Sequence, residues 1–317
     1  MNTTIGWEFY RSFLGVLKEG SLSGAARALG ITQPTAGRHI TALEEALGVV
    51  LFTRSQVGLM PTEIALALRP YAEAMESTAA SLERTATSQG EGVRGVVRVS
   101  ASDVIGVEVL PPVIARLRDQ HPDLKVELVL TDRIHDLLRR EADIAVRMMR
   151  PDQGQLVARR IGQIELGLYA HREYLSRHGE PRTVGELASH SIIGYDQPSA
   201  FVRKAEKSVQ GISREMFSLR TDNNLAQLAL IRGGAGIGFC QVPIARRNDS
   251  LTRVLAKKFS LQLETWVTMH EDLRNSPRCR ATFDALVEGL QQYVAQGSSL
   301  ALMTHEQGQV HFQAVSK

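Results

Sequence analysis

Along residues 7–48 the apolar positions recur at helical spacing, and small residues interrupt them where two helices would meet. The run Ser23-Gly-Ala-Ala-Arg-Ala-Leu-Gly-Ile-Thr-Gln-Pro-Thr-Ala-Gly-Arg38 predicts two short helices around a tight turn. Ser23 is the expected N-cap of the first, Ala25 and Ala26 admit a close crossing, and Gly30 supplies a left-handed exit. Thr32 caps the second, with Gln33 and Pro34 in its first turn, where a missing proline N–H costs nothing. Ala36, Ile40, Leu43 and Leu47 then form one buried stripe, which leaves Gln33, Thr35, Gly37 and Arg38 to solvent. Small, hydrogen-bonding side chains at the start of a second helix suit a DNA major groove. Helix pairs of this kind are also common in ordinary helical domains, so the motif alone leaves both readings open.

Beyond Gly48 the pattern shortens to strand length. Val49-Val-Leu-Phe-Thr53 predicts a strand, Gln56-Val-Gly58 a turn and Leu59-Met60 the return. Such a hairpin is a wing, with Arg54 at its edge in reach of a phosphate. Thr62 is expected to cap a long helix carrying Ile64, Leu68, Tyr71, Met75, Thr78 and Leu82 at spacings of four and three. That seam predicts a short coiled coil and a dimerisation helix, bent rather than broken at Pro70. A core helix of one globular domain is the competing account. The Ala- and Glu-rich other faces and the closing Thr87-Ser-Gln-Gly-Glu-Gly92 favour a linker.

From residue 93 onward, strand-like and helix-like segments alternate. Strands are expected at 96–101, 125–130 and 143–147, with helices at 111–120 and 134–141 between them. A second set follows, with strands at 165–170, 192–195, 216–220 and 236–240 and helices near 173–177, 184–188 and 225–231. A strand at 263–270 crosses back, and a helix at 278–293 completes the first lobe. Alternation at this spacing implies parallel sheet with helices on both faces. Two such lobes joined by crossover strands leave a cleft, the usual place for a small ligand. The strand ends facing it are Ser100-Ala-Ser102-Asp103, Thr131-Asp132, Arg147-Met148-Met149 and Thr221-Asp222-Asn223. Hydroxyls near helix starts suit a carboxylate or other anion, and Arg147 is a candidate to pair with one. Each has a structural alternative: Ser102 and Thr221 as helix caps, Arg147 in a salt bridge to Asp132 or Asp143, and Met148 and Met149 in ordinary lobe packing.

Composition narrows the class. The 317 residues are 43% hydrophobic and 22% charged, ordinary for globular protein, with room for about two or three domains. No apolar run reaches bilayer length and no signal-peptide pattern opens the chain, so the expected location is cytoplasmic. The formal charge is +3, yet residues 1–62 carry five Arg or Lys against four Glu. A DNA reading therefore rests on motif geometry, and one monomer is expected to bind weakly until several headpieces share a site. Cys240 and Cys279 have no metal or redox spacing, and Cys240 falls in a strand expected to be buried. Gly233-Gly-Ala-Gly-Ile-Gly238 runs from helix to strand, the reverse of a dinucleotide fingerprint, and reads as a helix exit and tight turn. Glu44-Glu45 is expected on a solvated helix face. No nucleophile elbow, zinc motif or P-loop appears, so no enzyme activity, cofactor or metal is expected.

Gly20-Ser-Leu-Ser-Gly-Ala-Ala-Arg-Ala-Leu29, Gln33-Pro34, Arg38-His-Ile-Thr-Ala-Leu-Glu-Glu-Ala-Leu-Gly48, Leu51-Phe-Thr-Arg54 and Pro61-Thr-Glu63 together resemble a LysR-type transcriptional regulator. The resemblance extends to about Val294. It departs at Gly37, where many relatives carry serine, and at Ala65, where glycine is usual. It implies a winged helix-turn-helix over 1–62, a linker and dimerisation helix with hinge over 63–92, and a two-lobed α/β periplasmic-binding-protein-like effector domain over 93–295. Lobe I is expected at about 93–162 and 269–295, lobe II at about 163–268. The DNA-facing set would be Thr32, Gln33, Pro34, Thr35 and Arg38, with Arg54 on the backbone. The effector set would be Ser100, Ser102 and Thr131, beside Arg147 and Thr221 from the strand-end reading. Implied partners are promoter DNA, a small effector with an anion as candidate, a homodimer through the linker helix, a tetramer of paired dimers, and the transcription machinery as a further candidate; no membrane is implied. The competing account is a cytoplasmic small-ligand-binding protein whose N-terminal helices only dimerise it. The tail 296–317 lies beyond the resemblance and reads as a disordered end or a short hairpin around Gln307-Gly308.

Overall fold

A computed structural model describes residues 5–55, 58–86, 92–131, 142–150, 156–197 and 213–309. They fall into two compact units, one through Ala86 and one from Gly92. In the first, α1 (Trp7–Glu19), α2 (Leu22–Leu29) and α3 (Gln33–Leu47) precede a wing of β1 (Phe52–Ser55) and β2 (Gly58–Pro61), and then α4 (Glu63–Ala86). The capping residue of α2 is Ser21 rather than Ser23: its Oγ accepts from Gly24 N at 3.1 Å. Gly30 and Gly48 end α2 and α3 in the left-handed conformation, and Thr32 Oγ1 accepts from Thr35 N at 3.3 Å. Phe13, Leu14, Leu43 and Leu51 are fully buried, each contributing about 1.5–3 kcal/mol on removal from water. Ser12 Oγ lies 2.7 Å from His39 Nδ1, and Phe9 meets the His39 ring edge-on, which ties α1 to α3.

The wing starts three residues later than its apolar run suggested, because Val49–Leu51 are used to leave the helix. Val49 N bonds the Glu44 carbonyl at 3.1 Å, and the Glu44 carboxylate accepts from Leu51 N and Phe52 N at 2.7 and 3.2 Å. Thr62 caps α4 as expected, accepting from Ala65 N at 3.2 Å while its hydroxyl reaches the carbonyls of Val50 and Leu51. Helix α4 runs unbroken through Pro70. Its Ala65 and Ala72 pack on the headpiece core, whereas Ile64, Tyr71, Met75 and Leu82 of the seam are exposed and Leu68 is half-buried.

The second unit carries β3 (Gly95–Ala101), α5 (Asp103–Glu108), α6 (Leu110–Gln120), β4 (Leu124–Leu130), β5 (Ile144–Arg147), β6 (Leu156–His171) and α7 (Arg172–His178). It continues through β7 (Ile192–Gly194), β8 (Phe217–Arg220), α8 (Asn224–Arg232), β9 (Ile237–Gln241), α9 (Val242–Ala245), β10 (Leu251–Val254), β11 (Leu261–His270) and α10 (Pro277–Gln309). The sheet order is β4-β3-β5-β11-β6-β9-β7-β8, with β10 also on β6. Strands β3, β4 and β5 pair in parallel, as do β7, β8 and β9, and the same three-strand order recurs in mirror image. The crossover strands β6 and β11 are antiparallel to each other and to their neighbours, so the sheet is mixed rather than parallel throughout.

Strand β6 is sixteen residues long, although only 165–170 read as strand. Arg159, Arg160 and Gln163 stand on its half-solvated stretch and hide the apolar alternation. Helix 184–188 is a single 3₁₀ turn, and α5, α9 and β10 are too short to register as pattern. The expected helix 134–141 lies outside the described residues. Where a tail hairpin was one of two readings, α10 instead continues as helix to Gln309. Among the described residues no helix is long and apolar enough to cross a membrane.

Gly58 shows how closely the headpiece is fitted. At φ +124 it sits where L side chains rarely go, and a Cβ there would meet Gly20 O at 2.8 Å, the carbonyl that accepts from Leu59 N. Gly58→Ala is expected to destabilise the headpiece by about 1–3 kcal/mol in thermal unfolding. Gly37→Ser, whose Cβ would stand 3.7 Å from Leu22 Cδ1, is expected to leave the melting temperature unchanged.

Candidate functional site

Two surfaces carry chemistry, one in each unit. In the headpiece, the cap that starts α3 leaves Thr32, Gln33 and Pro34 exposed, with Thr35 half-buried and the Thr32 and Thr35 hydroxyls 2.8 Å apart. Arg38, one turn on, is exposed, and so is Arg54, paired across the wing with Leu59. Neither guanidinium has a hydrogen bond or ion pair among the described residues. The result is a helix N-terminus bearing small polar groups, with a cation beside it and another on the wing. Such a face can enter a groove and hold a phosphate backbone. Glu44 belongs to this site in a way its sequence position concealed. Its carboxylate is not merely solvated but receives the N–H groups of Leu51 and Phe52 at the start of the wing, so it sets the wing against α3. An acidic pair on a helix carries no signal of that distant backbone contact.

In the second unit a cavity of about 400 Å³ opens between the lobes. Its floor and walls come from the C-terminal ends of the parallel strands, the position where this topology leaves backbone groups unpaired. Lobe I supplies Ser102, Val104, Arg147, Met148 and Met149; lobe II supplies Tyr195, Gln197, Asp222, Asn224, Gln227, Leu228, Phe239, Cys240, Gln241 and Ile244. Leu166 and Leu263 enter from the crossover strands.

Of the five residues expected at a ligand, Ser102 and Arg147 line the cavity. Ser102 occupies the N-cap position of α5 but makes no capping bond with its side chain. Arg147 is held from below: Nη1 donates to Val146 O at 3.0 Å and Nη2 to Ser100 Oγ at 2.7 Å. Ser100 is buried and stands behind the wall, as the support of that guanidinium. Thr131, half-buried, bonds through its N–H to Ala101 O beside the cavity. Thr221 serves the turn into α8, where Asn223 is the cap: Thr221 Oγ1 accepts from Asn223 N, and Asn223 Oδ1 from Ala226 N. Asp143 accepts from Arg98 N at 2.8 Å, and Asp132 lies outside the described residues. Met148 packs against the lobe core, as read, and also lines the cavity; Met149 is exposed and lines the cavity instead.

Most of lobe II's wall gives no signal in the sequence. Tyr195 ended an expected strand and was legible by the strand-end rule; Gln227 and Gln241 sat inside segments read as ordinary helix and strand. Both glutamines are almost fully buried. Gln227 Nε2 donates to Thr221 O at 2.7 Å, and Gln241 Oε1 accepts from Tyr293 OH at 2.6 Å. Tyr195 OH donates to Asn224 Oδ1 at 2.7 Å, and Asp222 Oδ1 receives Asp196 N and Gln197 N. Cys240 is core-like: burial pushes its thiol up to about 12, where the reactive thiolate is absent at neutral pH. The glycine run is a helix exit, since α8 ends at Arg232, Gly234 is left-handed and β9 begins at Ile237.

Comparison with known proteins bears on both surfaces. Residues 7–66 match the family model of bacterial regulatory helix-turn-helix proteins, lysR family, and residues 90–291 match that of the LysR substrate binding domain. Among curated proteins the chain is 28% identical to the HTH-type transcriptional regulator CrgA of Neisseria meningitidis, over 88% of this chain and 95% of that one. It is 31% identical to the mau operon transcriptional activator of Paracoccus denitrificans, over 87% and 93%. Among solved structures, CrgA superposes with a TM-score of 0.57 at 25% identity, covering 91% of this chain and 99% of that one. Full-length CbnR in complex with its target DNA shares the fold, with a TM-score of 0.62 at 20% identity over 91% and 99%.

The lobes are also clamped by charge. Arg232, at the end of α8, donates Nη1 and Nη2 to the two carboxylate oxygens of Glu108 on α5, at 2.7 and 2.8 Å. These bonds hold the Glu108 carboxyl below its ordinary value near 4.5, against the opposing effect of burial. The clamp therefore stabilises the fold above that value and is lost as pH falls below it. Glu108→Gln should cost about 1–2 kcal/mol at neutral pH, at the low end for a charged pair because Arg232 remains 36% exposed. In denaturant titrations the gap between wild type and variant should close as the pH drops below the carboxylate range.

Proposed function

Because this chain belongs to the LysR family of bacterial transcriptional regulators, we propose that it reads promoter DNA through α3 and answers to a small molecule bound between the lobes of its C-terminal domain. The observation that carries the DNA reading is the exposed N-terminal face of α3, with Arg38 standing clear of any partner among the described residues. Gln33, Pro34, Thr35 and Arg38 would lie in the major groove beside Thr32, with Arg38 on a guanine or phosphate and Arg54 on the backbone. CbnR, which shares the fold, has been crystallised with its target DNA.

The exposed seam Ile64, Tyr71, Met75 and Leu82 supports a homodimer along α4, since large apolar side chains at coiled-coil spacing gain by burial against a copy of themselves. Pairs of such dimers, joined through their C-terminal domains, would place several weakly charged headpieces on one stretch of DNA. The cavity supports an effector role. Ser102 and Arg147 offer donors to an anionic group, with Ser100 positioning Arg147, while Thr131 and Thr221 order the adjoining strand ends. Ligand in the cleft would bias the packing of these domains, and with it the spacing of the headpieces and the bend of the DNA. The protein acts in the cytoplasm, on promoter DNA and the transcription machinery, without catalysing a reaction.

Arg38→Ala tests the first half of this reading. In a fluorescence anisotropy titration it should weaken specific binding at least about ten- to hundredfold, the value of one bidentate base contact. Thermal unfolding and oligomeric state should not change. A ligand-binding protein whose N-terminal helices only dimerise it would show no effect of Arg38→Ala on any DNA.

A further inference from the structure

The effector reading leaves the chemistry of the ligand open, and the cavity wall narrows it. The two lobes present opposite polarity. Lobe I contributes a cation, Arg147, and the Ser102 hydroxyl. Lobe II contributes a carboxylate, Asp222, and the amide of Gln227. The orientation of that amide is fixed by its surroundings. Its nitrogen donates to the Thr221 carbonyl, which can only accept, so the atom left for the cavity is the acceptor Oε1. Gln227 is 6% exposed, and its Oε1, with no hydrogen-bond partner among the described residues, is open to the cavity for a ligand donor. Between the two polar ends the wall is mainly apolar, with Leu166, Phe239 and Leu263 among its members.

We propose that the ligand is a zwitterion with an apolar body, an amino acid in chemical class. Its carboxylate lies toward Arg147 and Ser102, and its ammonium donates toward Gln227 Oε1 and Asp222. A simple carboxylate satisfies only lobe I, and a simple amine only lobe II. The zwitterion alone engages both lobes, so its binding draws on contacts from each side of the cleft. The inference rests on the cavity being the effector site.

The test is calorimetric titration of the full-length protein with three probes of matched body: L-phenylalanine, 3-phenylpropanoate and 2-phenylethylamine. A second matched set, L-leucine, 4-methylpentanoate and 3-methylbutylamine, covers a smaller body. In at least one set the amino acid should bind about ten- to hundredfold more tightly than its carboxylate partner, the value of one added charged hydrogen bond. Gln227→Met, close in volume, and Asp222→Asn, which keeps an oxygen for the two backbone N–H groups, should each remove that advantage without weakening carboxylate binding. Thermal melts of both variants check that the fold persists. If binding depends on Arg147 but the amino acid has no advantage, the ligand class is wrong while the effector site stands. If a probe binds and Arg147→Ala does not affect it, the assignment of the cavity itself fails. Absence of binding by all six probes at millimolar concentration overturns the class as well.

Discussion

The antiparallel pairing of β6 with β11 is the constraint on which the C-terminal domain depends. Ten residues of β11, Leu261 to His270, pair with β6 between Leu166 and Leu156, with one register shift beside Trp266. This pairing makes one continuous sheet from two lobes that otherwise each consist of three parallel strands. Because both lobes end their parallel strands toward the crossover, the loops after β3, β5, β7 and β8 converge on one cavity. The polar groups in its wall come from residues as far apart in sequence as Ser102 and Gln241. Their meeting is a property of topology, since no local motif could assemble them.

The headpiece solves a different problem: it keeps a polar helix face rigid without burying it. Rigidity comes from behind, through Ile40 and Leu43 in the core and His39 against Ser12 and Phe9. It also comes from the side, through Glu44 to the wing and Leu59 to Gly20. Lys18 reaches Glu76 of α4 at 2.8 Å, an exposed pair worth little by itself but one more tie between α1 and the linker helix. On the exposed face of α3 proposed to read DNA, the Thr32 and Thr35 hydroxyls bond only each other and the helix start, and Arg38 has no partner among the described residues. A preorganised face of this kind gives up little conformational entropy on binding.

Much of this was legible in the chain. Caps and glycine exits are local, so Thr32, Gly30, Gly48 and Thr62 fall where the sequence placed them. Ser21 was missed for Ser23 because both precede the same alanines, and only the backbone turn separates them. Periodicity located β3, β5, β7 and β9 as short apolar runs because they are largely buried on both faces, while β4 and β8 at the sheet edges showed as β-rich runs with exposed positions. It failed for the first half of β6, whose Arg159 and Arg160 mask the alternation, and for α5, which is only six residues long. In the cavity, strand ends pointed to Ser102 and Arg147. Gln227 and Gln241 gave no such signal, because a glutamine buried against a carbonyl or a tyrosine looks in sequence like one on a solvated face. Glu44 eluded the reading for the same reason: its partners are backbone groups beyond the end of its own helix.

The most direct test of the central claim is a selection of genomic DNA fragments by the purified full-length protein, at near-physiological salt. Recovered fragments are sequenced and compared with bulk DNA. The account predicts strong enrichment of a small set of sites, some upstream of genes, sharing a motif of dyad symmetry. Recovery indistinguishable from bulk, at several salt concentrations, would contradict it and leave the chain as a ligand-binding protein with a headpiece that reads no sequence.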